Sequence, residues 1–116
     1  METVEFPVVN RTAVTIIPKK PFWDWVNSVE PGGEVVSPDK MEARSIYLIP
    51  EFEDLTEGDK YLRSNYNNIF ISELDGWYRN ESVWPNPRTW EMFKAWFDYQ
   101  LYDIIYDTEP EELEKE

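Results

Sequence analysis

Cysteine and histidine are both absent from the chain. Without cysteine there is no disulfide, no thiolate nucleophile, no zinc ribbon and no iron–sulfur ligation. Without histidine, most zinc, copper and haem sites lose their usual ligands. Glycine is scarce, with 4 residues in 116, and none of them falls into a P-loop, a dinucleotide-binding fingerprint or a nucleophile elbow. Long apolar runs are missing too. Residues 1–7 carry Glu2 and Glu5, which predicts neither a signal peptide nor a membrane anchor and, by default, a cytoplasmic address. Positive charge is the last scarcity: 11 Lys+Arg stand against 24 Asp+Glu, a formal charge of −13. Such a field repels phosphate backbones and anionic lipid, so nucleic acid and membrane are not expected partners, whereas a protein with a basic surface is.

Aromatic residues are abundant instead. Six Trp, seven Tyr and six Phe make up 16% of the chain, enough to build a dense core from few positions and to argue against disorder despite the charge. A length of 116 residues suits one core, and one domain is expected over residues 1–108. The segment 109–116 holds five Glu in eight positions and predicts a disordered acidic tail.

The periodicity gives a coarse architecture. Residues 12–17 (TAVTII) are β-branched and closed by Pro18, which predicts a strand, while residues 4–9 are interrupted by Pro7 and suit only an edge. From Pro21 the period becomes helical, with Phe22, Trp25, Val26 and Val29 on one stripe and Pro31-Gly32-Gly33 as the stop. Ser37-Pro38-Asp39 has the form of a cap, predicting one helical turn over residues 38–43. Residues 44–49 (RSIYLI) predict a second strand, and residues 51–59 an acidic loop. Thr56 and Asp59 form a capping box for a helix with Leu62, Tyr66, Ile69, Phe70 and Leu74 on its stripe, stopped by Gly76. After a loop over residues 77–87, Asn86-Pro87 has the form of an N-cap and first helical residue. The helix that follows is apolar around most of its girth: Trp90, Phe93 and Phe97 on one stripe, Met92, Trp96 and Tyr99 on another. Alternation sets in near residues 98–100 and predicts a third strand ending at Asp107, with helix continuing through Ile104 as the rival. The result is an α+β fold: a small three- or four-stranded sheet packed on one face by about three helices. Its expected core is Ile16, Phe22, Trp25, Leu48, Tyr66, Phe70, Phe93 and Phe97.

Five segments carry a resemblance: Val14 to Trp25 (VTIIPKKPFWDW), Ile46 to Glu51 (IYLIPE), Glu73 to Tyr78 (ELDGWY), Trp84-Pro85, and Trp90 to Phe97 (WEMFKAWF). In these the chain resembles a family of small bacterial proteins of unknown function. The resemblance implies a compact cytoplasmic protein and brings no activity, cofactor or catalytic residue with it.

Four constellations merit weighing. The acidic residues Glu51, Glu53, Asp54, Glu57 and Asp59 offer oxygen to a hard cation. Yet counting from Glu53 puts Leu55 and Ser64 at the third and twelfth positions of a calcium loop, where ligands are required, so a solvated capping loop is expected. The basic pair Lys19-Lys20 precedes a helix and is expected to face solvent, or else, with Trp23 beside it, to grip an acidic motif. Asp24, Asp75 and Asp103 are candidates for an acid–base pair, though 24 acidic residues guarantee accidental proximity. The loop with Trp77, Tyr78, Arg79 and Trp84 is the best candidate binding surface, because two tryptophans in a proline-bearing connection need burial or a partner to leave water.

Two functions follow. The first is a non-enzymatic acidic interaction module, of adaptor, inhibitor or immunity-like type, docking a basic protein through charge and a few aromatic anchors. The alternative is a small carbohydrate-binding or Asp/Glu-dependent hydrolase domain using the same aromatics as sugar platforms. Neither needs a cofactor or metal. Chelation with EDTA should accordingly leave the melting temperature unchanged, and a fall reversed by Ca²⁺ would show that the acidic loop is a ligand set after all.

Overall fold

The computed structural model describes residues 2–30, 32 and 44–116. Strand β1 (Arg11–Pro18) is the middle of a three-stranded sheet, flanked by β2 (Ser45–Pro50) and β3 (Phe97–Tyr102), in the order β2-β1-β3. Both pairings are antiparallel. A central strand has neighbours on both edges, which suits the β-branched run predicted here. Its inner row, Thr12, Val14, Ile16 and Pro18, is buried. Thr12 stands opposite Ile49, Val14 opposite Tyr47 and Leu101, and Ile16 opposite Ser45 and Tyr99, so these residues share the covered face.

Helix α1 (Lys20–Val29) starts with Pro21 in its first turn and buries Phe22, Trp23, Trp25 and Val26. Helix α2 (Leu55–Asp75) lays Leu62, Ile69, Phe70 and Leu74 into the core. Helix α3 (Trp90–Trp96) contributes Phe93, with Trp90, Met92 and Trp96 packed half-buried around it. The predicted order of strand, helix, strand, helix, helix, strand holds, and the sheet has three strands. Rings form the centre of the core: Phe97 lies 5.3 Å from Phe22, 5.3 Å from Phe70 and 5.1 Å from Phe93, centroid to centroid. Such tilted and perpendicular contacts satisfy the ring quadrupoles.

Several expectations are corrected. Leu48 is 50% exposed rather than buried, and Ile49 takes the core position. In RSIYLI both rows of the strand are apolar, so alternation alone does not say which row faces in; pairing with β1 places Leu48 opposite Ala13 on the open face. Tyr66 is half-buried, its hydroxyl donating to Arg88 O at 3.0 Å. Helix α2 begins at Leu55, capped by Asp54, whose Oδ1 accepts from Thr56 N at 2.9 Å; the acidic loop is thus shorter than residues 51–59. That bond to the Thr56 amide draws the Asp54 carboxyl below its usual range. Helix α3 is capped by Thr89, whose Oγ1 accepts from Met92 N at 3.1 Å, and Asn86-Pro87 belongs to the loop, joined by a cis peptide bond. The chain leaves the helical region at Phe97, which excludes helix through Ile104, and β3 ends at Tyr102, short of Asp107. Beyond it, Val8 and Tyr106 form a single antiparallel bridge, with Val9 N donating to Ile105 O at 2.7 Å and Asp107 N to Pro7 O at 3.0 Å. That bridge replaces the edge strand proposed for residues 4–9. Trp23 is buried and does not accompany the lysines to the surface; Lys20 pairs with Asp24 at 2.9 Å and Lys19 with Asp98 at 3.6 Å. The turn expected over residues 38–43 falls outside the described residues, as do Pro31 and Gly33.

Phe93 is fully buried against the rings of Phe70, Trp90 and Phe97. Replacing it with Ala should lower stability by about 3–5 kcal/mol in denaturant melts, whereas Leu48→Ser should change it by about 0.5 kcal/mol or less. Equal losses at the two positions would refute this division into covered and open faces.

Candidate functional site

Gly76 ends α2 in right-handed geometry, and the backbone amides of Trp77 and Tyr78 both donate to Leu74 O, at 3.1 and 3.0 Å. The loop therefore leaves the helix along a fixed direction, and its side chains split. Tyr78 turns inward: its hydroxyl donates to Val26 O at 3.1 Å and its ring stands perpendicular to Trp25 at 5.5 Å. Trp84 also points back, with Nε1 donating to Tyr78 O at 2.7 Å, while Trp25 Nε1 donates to Val83 O at 2.9 Å. These two indole bonds stitch the loop to itself and to α1. Between them Asn80 Oδ1 accepts from Ser82 N at 3.0 Å and opens a 3-10 turn over Glu81–Val83. Trp77 and Arg79 face outward; Trp77 is 38% exposed.

The four predicted contact residues thus do not form one surface. Trp84 lines a cavity of about 260 Å³ with Ile71, Glu81, Asn86 and Arg88. Trp77 lines a different one, of about 340 Å³, with Pro18, Ser45, Tyr47, Ser72, Glu73 and Gly76. Among the described residues of this second cavity Glu73 is the charged one, and it organises the rest. Tyr47 Oη donates to Glu73 Oε2 at 2.6 Å, and Ser45 Oγ donates to the same oxygen at 2.9 Å. Ser72 Oγ lies 3.0 Å from Tyr47 Oη. Tyr47 has one hydroxyl proton and the carboxylate is the stronger acceptor, so Ser72 acts as donor to the phenol oxygen. Trp77 is held beside this cluster by perpendicular packing on buried Trp23, at 5.2 Å between centroids.

Ser45, Tyr47, Ser72 and Glu73 were not singled out from the sequence. The parity of β2 places Ser45 and Tyr47 on one face, which the alternation contains. Their meeting with the last turn of α2 is a tertiary event that no local pattern announces. Elsewhere, the acidic residues ahead of α2 are engaged separately: Asp54 caps the helix, Glu57 pairs with Lys60 at 3.2 Å, and Asp59 accepts the Tyr99 hydroxyl at 2.5 Å. Among the described residues no group of three or more acidic side chains converges on a possible metal position, and no helix is long and apolar enough to cross a membrane. No family model matches the chain, and neither a curated protein nor a solved structure matches it.

Burial, and then the hydrogen bond and charge of Glu73, push the Tyr47 phenol above the ordinary tyrosine range. Tyr99 is raised to about 12 by burial first and then by its bond to Asp59 and the charge there. In both, the fold favours the neutral phenol. The stability they contribute is therefore complete below the ordinary phenol pKa of about 10 and is lost as pH rises through the folded values. Denaturant midpoints should fall between about pH 10 and 12, and the double variant Tyr47→Phe, Tyr99→Phe should flatten that fall. An alkaline profile identical in the variant would rule out this origin.

Proposed function

We propose that the protein is a non-enzymatic interaction module, an adaptor, inhibitor or immunity-like protein of the bacterial cytoplasm, that docks a partner with a basic surface. The observation that carries this reading is the exposed ring of Trp77 on the rim of a cavity organised by a carboxylate, in a chain with a formal charge of −13. Charge of this sign steers a basic protein towards the surface and accelerates encounter, while a tryptophan that leaves water on docking supplies binding energy at the centre of the contact. Arg79, two positions after Trp77 and exposed, is assigned to the rim of the same contact. Tyr78 and Trp84 hold the loop in shape, since their polar atoms are bonded within the protein.

Among the described residues the cavity holds one carboxylate, whereas a glycosidase needs two carboxyl groups about 5–10 Å apart across the scissile bond. A sugar on Trp77 remains the second reading, favoured by the hydroxyls of Ser45, Tyr47 and Ser72 around the cavity. Salt separates the two, because screening shortens the reach of the acidic field to about 10 Å at 0.1 M and leaves stacking of a neutral sugar untouched.

The test is affinity capture from the native lysate, followed by dissociation constants for the purified partner at low and high salt. A weakening of about tenfold or more at high salt is expected, as is loss of binding in Trp77→Ala with the melting curve preserved. Trp84→Phe should instead lower stability by about 1 kcal/mol, because the Tyr78 carbonyl loses its donor. A partner that binds equally at all salt concentrations and tolerates Trp77→Ala would end the proposal.

A further inference from the structure

Resting on that reading, we infer that the cavity beside Trp77 receives one cationic side chain of the partner, lysine or arginine, with its charged head against the Glu73 carboxylate and its methylene stem along the Trp77 ring. The donor set points to charge of this sign. Two hydroxyls, from Ser45 and Tyr47, converge on Oε2 of Glu73 and fix the carboxylate in place, while Oε1 takes no hydrogen bond from a described residue. A carboxylate positioned in advance and still able to accept is matched by an ammonium or guanidinium, which bring only donors. An anion would meet repulsion at the same point.

Among the described residues no cation of the protein pairs with Glu73. Lys19 follows Pro18 at the cavity wall but pairs with Asp98 at 3.6 Å. Arg44 precedes Ser45 and is exposed, and no ion pair joins it to Glu73 among the described residues.

The aromatic wall is the second requirement. Trp77 is braced from behind by Trp23, so a cation stem arriving along its free surface meets a ring that is already positioned. An indole face within about 6 Å of a cation is the strongest of the aromatic partners, and the stem of a long basic side chain covers apolar surface while its head stays polar. A volume of about 340 Å³ lies at the low end for ligand sites, the scale of a side chain rather than an oligosaccharide.

The experiment titrates the intact protein with N-acetylarginine methylamide and N-acetyllysine methylamide, with the neutral N-acetylcitrulline methylamide as isostere. The readout is the Trp77 indole N–H resonance, assigned by its disappearance in Trp77→Phe. A saturable shift with the two cations and none with citrulline is expected. In Glu73→Gln, checked for folding by its melting curve, the cation affinity should fall about tenfold or more. The wild-type comparison of arginine with citrulline needs no variant, so a poorly folded Glu73→Gln does not blunt the test. Equal shifts with citrulline and arginine, or no shift with any probe, would overturn the inference. If the captured partner still binds in a salt-dependent manner under that result, the cavity is wrong and the acidic module stands; if salt dependence is also missing, both fall.

Discussion

Phe97 sits where helix α3 becomes strand β3, and its ring closes a cluster in which α1, α2 and α3 meet the sheet. It touches Phe22 of α1, Phe70 of α2 and Phe93 of α3 while its backbone stands opposite Pro18 of β1. Because this ring must face inward, the strand after it is committed to a parity: Tyr99 and Leu101 follow it in, and Asp98, Gln100 and Tyr102 turn out. The register of β3 on β1 follows from the same constraint, and a slip of one residue would turn the Phe97 ring to the open face. No loop intervenes between α3 and β3, so nothing absorbs an error there.

Cohesion of this kind leaves charge free for other uses. The four ion pairs among the described residues lie near or at the surface, three of them between residues three or four apart in a helix, where each contributes only a few tenths of a kcal/mol. Acidic self-repulsion is therefore tolerated because burial of rings, not pairing of ions, holds the elements together. Charge and core are separable in this chain, and substituting surface carboxylates alters the long-range field with little effect on packing.

The elements were legible where one period dominated: the β-branched run of β1, the stripe of α1 around Phe22, and the long stripe of α2. Legibility failed at points where two local signals agreed with two structures. RSIYLI alternates equally well with Leu48 in or out, and only the pairing of Thr12 with Ile49 decides. Asp54 and Thr56 are both competent caps, as are Asn86 and Thr89, and in each pair the choice depends on where the helix must start to bring its aromatic stripe over the sheet. The candidate site shows the same limit more strongly. Trp77 was visible as an aromatic in a loop, but its neighbours Tyr47 and Glu73 are 26 positions apart and read locally as a strand residue and a helix surface residue. The hydrogen bond joining them exists only in the assembled fold.

The antiparallel pairing of β1 with β3 also sets how the molecule bears load. Arg11 enters β1 at the end of the sheet where Tyr102 leaves β3, and just outside that end the chain is joined again by the Val8–Tyr106 bridge. A force applied through the two ends of the chain thus reaches the sheet at one corner and pulls across the strands, along the direction of their hydrogen bonds. Bonds in that geometry open one after another like a zipper instead of sharing the load in shear. The fold is mechanically soft along this axis however tightly its rings are packed.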